Sequence, residues 1–371
     1  MKLKCSRGRL HEALSLATMV VPQRTTIPAV MNVKFTAAKK GKSGGFLELA
    51  CTDLEYGLKL SLPAEIEEEG TVVLPAARMS GILRESGEEE ISLTSDGNLA
   101  HIRTQDANFK VVGIDPADFP MIPVFEDKGA IEVPSDHIGE MVRKTQFAVS
   151  NEVVRYALTG QLFEIRKSDV RMVASDGKRL SFFKAKASNK DHKKNLKVIV
   201  PTKTLNLLDK VLSEEDEMVS LNVEETQIRM KTSRAVIFSR LIEGNFPDYE
   251  AVIPKDHEKK IPLDREQFLS SVRKASLMTS DKSRAVKFEF GKGKAALFTR
   301  TQDVGEVRVE FPIDYKGAKV EVVFNPDYVQ DYLKAVSTDE IELALKDGTS
   351  AGLFRSGKDY QYVLMPLTVT L

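Results

Sequence analysis

The stretch VVLPAARMSGILRESGEEEISL (residues 72–93) puts an apolar β-branched run before a proline, then a helical apolar spacing, an acidic turn and an alternating strand. The same order returns as VIVPTKTLNLLDKVLSEEDEMVSL (198–221) and VVFNPDYVQDYLKAVSTDEIELAL (322–345). Pro75, Pro201 and Asn325 stand 126 and 124 residues apart. A proline in the first helical turn gives up no needed hydrogen bond, and an asparagine there caps the helix. Met79, Ile82 and Leu83, then Leu205, Leu208 and Leu212, then Val329, Tyr332, Leu333 and Val336 form three apolar stripes at helical spacing.

A second helix precedes each of these. Its stripes are Leu10, Ala13, Leu14 and Ala17, then Ile138, Met141 and Val142, then Phe268, Val272 and Ala275. A third landmark is LACTDLEYGLKL (49–60), MVASDGKRLSFF (172–183) and LFTRTQDVGEVRV (297–309), with Asp53, Asp176 and Asp303 in register. Between them, alternating runs are broken by SDGN (95–98), SDGK (175–178), GKGK (291–294) and KDGT (346–349), which read as hairpin turns. The chain is therefore expected to be three copies of one α+β unit, each with two helices packed on antiparallel sheets. The joints are charged or proline-bearing, PVFEDKGAIEVP (123–134) and PKDHEKKIPLD (254–264), giving domains 1–127, 128–255 and 256–371. Repetition at this period predicts an array or a closed ring.

Composition narrows the function. The 371 residues are 42% apolar and 29% charged, with 54 basic and 54 acidic side chains, so no basic excess marks a conventional nucleic-acid module. No run reaches the roughly 18 apolar residues of a membrane span, and the opening MKLKCSRGRLHEALSLA is unlike a secretory signal. Cys5 and Cys51 lie in apolar segments and read as buried free thiols of a reducing cytoplasm. The five histidines (His11, His101, His137, His192 and His257) have no metal-ligand spacing, and no nucleophile elbow or dinucleotide fingerprint occurs. The repeated aspartates read as turn residues instead of a catalytic set, because an active site seldom needs one carboxylate in three domains. No enzyme activity, metal or cofactor is expected.

FPDYEAVIP (246–254), VRYALTGQLFE (154–164), ASDGKRL (174–180), ADFPMIP (117–123) and the closing YVLMPL (362–367) resemble the bacterial sliding clamp family, the beta subunit of DNA polymerase III. The resemblance implies a head-to-tail homodimer, a ring of six similar domains encircling double-stranded DNA without sequence preference. The ring would tether the replicative DNA polymerase, serve other replication and repair proteins, and be placed on DNA by a clamp loader. Geometry agrees with two chains. Helices about 10 Å wide leave about 9 Å clear when six close a ring, and about 28 Å when twelve do. A double helix whose major groove alone is about 12 Å wide needs the larger opening.

The resemblance also implies a partner-peptide cleft between the second and third domains, at Leu158, Ser175, Gly177, Lys178, Arg179, Leu180, Pro247, Val252, Asn325, Tyr328, Val363, Leu364, Met365 and Pro366. Apolar side chains would make the pocket, while Arg179 and Asn325 would orient polar groups of the peptide. The alternative to a peptide cleft is that the same residues close a core between the second and third domains. Ser283, Ala251 and the tail Thr368–Leu371 depart from the family pattern and leave partner preference open. Phe109, Leu277 and Met278 are the implied dimer contacts, and Arg24 and Asn151 the implied DNA-approaching loop residues. The first helices (7–20, 135–148, 265–276) carry Arg7, Arg9, Arg143, Lys144, Arg265, Arg273 and Lys274 against Glu12, Asp136, Glu140 and Glu266, or 7 − 4 = +3. The compensating acids sit in EIEEE (65–69), ESGEEE (85–90) and SEEDE (213–217). The rival reading is a triplicated protein-binding scaffold that never encircles DNA.

Overall fold

The computed structural model describes residues 1–40, 44–187, 195–213, 217–280 and 284–369. Within them the triplication is complete to the element. The first repeat runs β1 Lys2–Ser6, α1 Arg7–Val20, β2 Asn32–Lys40, β3 Gly44–Thr52, β4 Tyr56–Glu68, β5 Gly70–Pro75, α2 Ala76–Glu85, β6 Glu90–Asp96, β7 Leu99–Arg103 and β8 Asn108–Val112. The second repeats that order as β9 Ile131–Pro134, α3 Ser135–Thr145, β10 Gly160–Ile165, β11 Asp169–Ser175, β12 Arg179–Lys186, β13 Leu196–Pro201, α4 Thr202–Val211, β14 Met218–Val223, β15 Gln227–Lys231 and β16 Ala235–Arg240. One added turn of helix, α5 Tyr249–Val252, precedes the third. That repeat is β17 Lys259–Asp264, α6 Arg265–Ser276, β18 Val286–Gly291, β19 Lys294–Thr301, β20 Gly305–Pro312, β21 Val320–Phe324, α7 Pro326–Ala335, β22 Glu340–Leu345, β23 Gly352–Ser356 and β24 Tyr360–Leu364.

Each repeat builds two antiparallel four-stranded sheets. In the first they are ordered β5-β2-β3-β4 and β1-β6-β7-β8, in the second β13-β10-β11-β12 and β9-β14-β15-β16, in the third β21-β18-β19-β20 and β17-β22-β23-β24. Sheets of different repeats then fuse. β4 pairs with β16, with Gly57 opposite Phe238, and β12 pairs with β24, with Leu180 opposite Val363. Contacts accordingly divide the chain into two compact units, residues 1–139 with 203–241, and residues 140–202 with 242–371. The middle repeat gives one sheet to each.

The stripes read from the sequence are the buried faces. Leu10, Leu14, Met79, Leu83, Met141, Val142, Leu205, Leu208, Phe268, Val272, Val329, Tyr332 and Leu333 are all buried. Helix α1 packs beside α2, and α6 beside α7. Leu212 falls one residue past the end of α4 and is half-buried. Ser6, Asp264 and Asn325 accept hydrogen bonds from the first-turn amides of α1, α6 and α7. Cys5 and Cys51 are buried free thiols, and burial, helped by Glu90, pushes Cys5 up to about 12. In the acidic turn after α4, residues 214–216 lie outside the described residues.

Gly57 shows how tightly the first fusion is packed. A Cβ there would lie 2.1 Å from the Phe238 ring and 2.7 Å from the Cys51 carbonyl. Gly57→Ala should destabilise the protein by about 1–3 kcal/mol through overpacking, read as a lower urea midpoint. An unchanged midpoint would show that the two strands can part without cost.

Candidate functional site

All fourteen predicted cleft residues fall in the second compact unit. The floor starts at the turn between β11 and β12. Ser175 Oγ accepts from Gly177 N at 3.1 Å and donates to Arg179 O at 2.8 Å, while Asp176 Oδ1 accepts from Lys178 N and Arg179 N at 2.8 and 3.0 Å. Gly177 has φ +85°, which is why glycine stands there. Strand β24 lies alongside, and Met365 N extends the ladder to Lys178 O at 2.9 Å. Leu180 and Val363 thereby join Leu162, Phe182, Ile242 and Tyr249 in one apolar cluster. Leu158, Ser175 and Leu364 are buried too, whereas Gly177, Lys178, Pro247, Val252 and Met365 are exposed. Val252 at 46% and Met365 at 48% exposure are apolar side chains that the chain itself leaves uncovered.

Arg179 is held in place by the protein itself. Its guanidinium donates to Asp331 Oδ2 at 2.7 Å, Asp176 Oδ2 at 3.0 Å and the Phe147 carbonyl at 2.6 Å, and stacks 4.1 Å from the Tyr328 ring. Tyr362 OH donates to Tyr328 O at 3.0 Å and fixes that residue from behind. Burial opposes the charge of Arg179, but Tyr362, Asp331 and Asp176 outweigh it. Asn325 Oδ1 accepts from Asp327 N at 2.9 Å as the cap of α7. Three of the five guanidinium N–H groups of Arg179 and the Oδ1 of Asn325 are thus engaged within the protein. Asp331 and Phe147 accept two of these hydrogen bonds and were not anticipated, because nothing local in the sequence links them to Arg179.

The other shoulder is anchored by Tyr249. Its ring stacks on Phe182 at 5.6 Å, and its hydroxyl donates to the wholly buried Glu164 Oε2 at 2.7 Å. Glu164 also pairs with Arg166 at 2.8 Å and Lys197 at 3.0 Å, while Arg166 and Arg171 reach Glu250 at 2.9 and 2.8 Å. Burial would raise the pKa of Glu164, but hydrogen bonds from Tyr249, Lys197 and Arg166 overcome it and hold the carboxyl below its ordinary 4.5. This network fixes α5, and with it Pro247 and Val252.

The remaining predicted residues are placed as follows. Phe109 is half-buried on β8, an edge strand. Leu277 is 72% exposed beyond the end of α6, and Met278 next to it accepts at its carbonyl from Thr301 Oγ1 (2.8 Å), close to the start of β20. Arg24 and Asn151 are exposed in loops. Ala251 is exposed on α5; Ser283, Thr370 and Leu371 lie outside the described residues, and Thr368 and Val369 are exposed. The basic helix face is thinner than the sequence suggests. Lys144 is buried and pairs with the half-exposed Glu140, Arg7 donates to the carbonyls of Glu88 and Leu83, and Arg265 to that of Thr338. Arg9, Arg143, Arg273 and Lys274 stay exposed. Asp53 and Asp176 are turn residues, each accepting two backbone amides. Among the described residues no group of His, Cys, Asp or Glu could hold a metal, and no helix is long and apolar enough to cross a membrane.

Three α+β repeats fused through their sheets define a DNA-clamp type of fold. Family models described as the DNA polymerase III beta subunit match the whole chain in three parts: N-terminal domain over 1–123, central domain over 132–248 and C-terminal domain over 250–368. The beta sliding clamp of Caulobacter vibrioides is 30% identical over the full length of both chains, and that of Chlamydia pneumoniae 28% identical over 99% of each. Solved sliding clamps from Bartonella birtlesii (30% identity, TM-score 0.90) and Bacillus subtilis (26%, 0.91) superpose over all of both chains. The chain belongs to the DNA polymerase III beta subunit family. It is a DNA sliding clamp, a processivity factor without catalytic activity.

The Glu164 network carries a pH signature. A carboxyl held below its ordinary value stabilises the fold fully above about pH 4.5 and progressively less as pH falls through its folded value. Glu164→Gln should cost about 1–3 kcal/mol at pH 7 by weakening charged hydrogen bonds at a buried carboxylate, Arg166 and Arg171 keeping Glu250 as a partner. The deficit should shrink below about pH 4.5, where the parent protein loses the same charge. Urea titrations at pH 7 and in acid give the comparison; an equal deficit at both would show that the charge of Glu164 is not what anchors α5.

Proposed function

We propose that two copies of this chain join head to tail into a six-domain ring around duplex DNA, and that polymerase and other partners dock short apolar peptides in the cleft. Open strand edges carry the proposal. Strands β4, β12 and β20 are equivalent in the three repeats, as are β8, β16 and β24. β4 pairs with β16 of the next repeat, and β12 with β24 of the next; β20 and β8 are left as sheet edges. Exposed edges invite pairing, and the pairing used twice already would join β20 of one copy to β8 of another. Two such junctions close a ring.

The side chains at these edges suit each other. Phe109 on β8 and the exposed Leu277 with Met278 beside β20 offer apolar surface. Arg103 and Lys110 face outward on β7 and β8, and Glu306 and Glu310 lie on β20. Inside the ring Arg24, Asn151 and the exposed helix arginines would approach the phosphates. The domains would run 1–127, 128–255 and 256–371; the hold of Glu164 on Tyr249 supports counting α5 with the middle one. A clamp loader is the expected partner for opening the ring, and a cytoplasmic setting fits the buried thiols.

Leu277→Ala with Met278→Ala should cost about 2–5 kcal/mol per side chain buried at the seam. The parent protein should sediment as a dimer at low micromolar concentration, stay on circular DNA after loading and leave linear DNA. The double variant should sediment as a monomer and be retained on neither. A double variant that remains dimeric would remove these residues from the interface.

The sliding clamps of Pseudomonas aeruginosa and Bartonella birtlesii are bound to griselimycin in solved structures. On this chain we expect that ligand in the cleft. Met365→Glu, placing charge on an exposed apolar rim, should weaken griselimycin binding at least tenfold with an unchanged Tm. Undiminished binding, read by calorimetry, would place the ligand elsewhere.

A further inference from the structure

The junction between the first and middle repeats is built on the same plan as the cleft, and it lies wholly in the first compact unit. Thr52 Oγ1 accepts from Leu54 N and donates to Tyr56 O, both at 2.9 Å, as Ser175 does for Gly177 and Arg179. Asp53 Oδ1 accepts from Glu55 N and Tyr56 N at 2.8 Å, as Asp176 does for Lys178 and Arg179. Leu54 keeps φ +78° where Gly177 has +85°, the one non-glycine residue with positive φ among those described. Beyond the paired strands, Arg240 N reaches Glu55 O at 2.8 Å, matching Met365 N on Lys178 O at 2.9 Å. A cation–aromatic pair flanks both turns: Lys203 Nζ 4.2 Å over Tyr56, and Arg179 4.1 Å from Tyr328.

The two sites differ in what fills the floor. Register sets Gly57 opposite Phe238 where the cleft sets Leu180 opposite Val363. Phe238 lies on the space that a side chain at position 57 would need, and packs with Ala50, Val73, Phe119 and Ile122. A ring thus occupies, on the strand equivalent to β24, the position that valine holds in the cleft. We propose that Phe238 is the residue that closes this second, cleft-like junction and holds each chain to one peptide site. The inference rests on the cleft reading given above. It assigns Phe238 a specificity role beyond core packing: the backbone needed for a peptide site is present twice, and one side chain decides which copy is open.

Griselimycin titrations of the parent protein, Phe238→Ala and the milder Phe238→Val, each with and without Met365→Glu, test it, with Tm confirming that each variant is folded. The parent should bind one equivalent per chain, lost with Met365→Glu. The Phe238 variants should bind a second, weaker equivalent that survives Met365→Glu, which a purely structural role would not produce. If Phe238→Ala does not fold, Phe238→Val decides. A folded Phe238 variant that binds only one equivalent, abolished by Met365→Glu, overturns the proposal. If parent binding ignores Met365→Glu, the cleft reading itself fails, a different result from the first, and this inference falls with it.

Discussion

Everything in this molecule depends on one backbone requirement: the outer edge of each repeat's sheet must find hydrogen-bond partners. Amides and carbonyls on an edge strand are left to solvent or to aggregation unless another strand covers them. Here the third strand after the first helix of a repeat is covered by the last strand of the following repeat, β4 by β16 and β12 by β24. Because the pairings are antiparallel and regular, each fixes its junction in register, and each brings the turn before the strand against the segment that follows the partner. The cleft is a by-product of that register. Gly177 and Lys178 sit beside Met365 because Arg179 is opposite Leu364.

Much of this was legible in sequence because repetition supplies its own control. A lone proline before an apolar stripe is weak, but Pro75, Pro201 and Asn325 in register with three Asp-containing turns fix the number of repeats and the element order. The stripes came out buried since period 3.6 leaves little choice of face. Which sheets fuse was not legible. Alternating strands announce two faces but no partner, and pairing is a tertiary choice. For the same reason the internal partners of Arg179 are not legible in the sequence. Its partners Phe147 and Asp331 lie 32 and 152 residues away, the first met within the middle repeat and the second brought in from the third. Likewise Lys144 counts as a lumen charge in sequence, yet its ammonium turns inward over the Phe183 ring, 4.4 Å from the centroid.

The internal hydrogen bonds of Arg179 and Asn325 bear on how the proposed cleft would recognise a peptide. With these polar groups partly engaged inside the protein, the proposed site offers exposed apolar side chains, Val252 and Met365 among them. Discrimination then rests on fit of apolar anchors more than on a fixed pattern of hydrogen bonds. Such fit separates ligands by only about 1–3 kcal/mol per methylene, and methionine can repack around different anchors. A surface of this kind suits many partners taken in turn better than one held permanently.

A matching economy governs the DNA side. Phosphate contacts made by many fixed cations would raise affinity and make it fall steeply with salt. The exposed cations on α1, α3 and α6 are few, since Lys144, Arg7 and Arg265 are engaged within the protein. A closed ring does not need them, because enclosure keeps it on the duplex whatever the salt, and weak contacts let it move along it. In the proposed ring, strand pairing at the junctions and sparse charge on these helices would be two halves of one solution: the energy retaining the clamp would lie in protein–protein hydrogen bonds and apolar contacts, where motion along DNA does not have to break it.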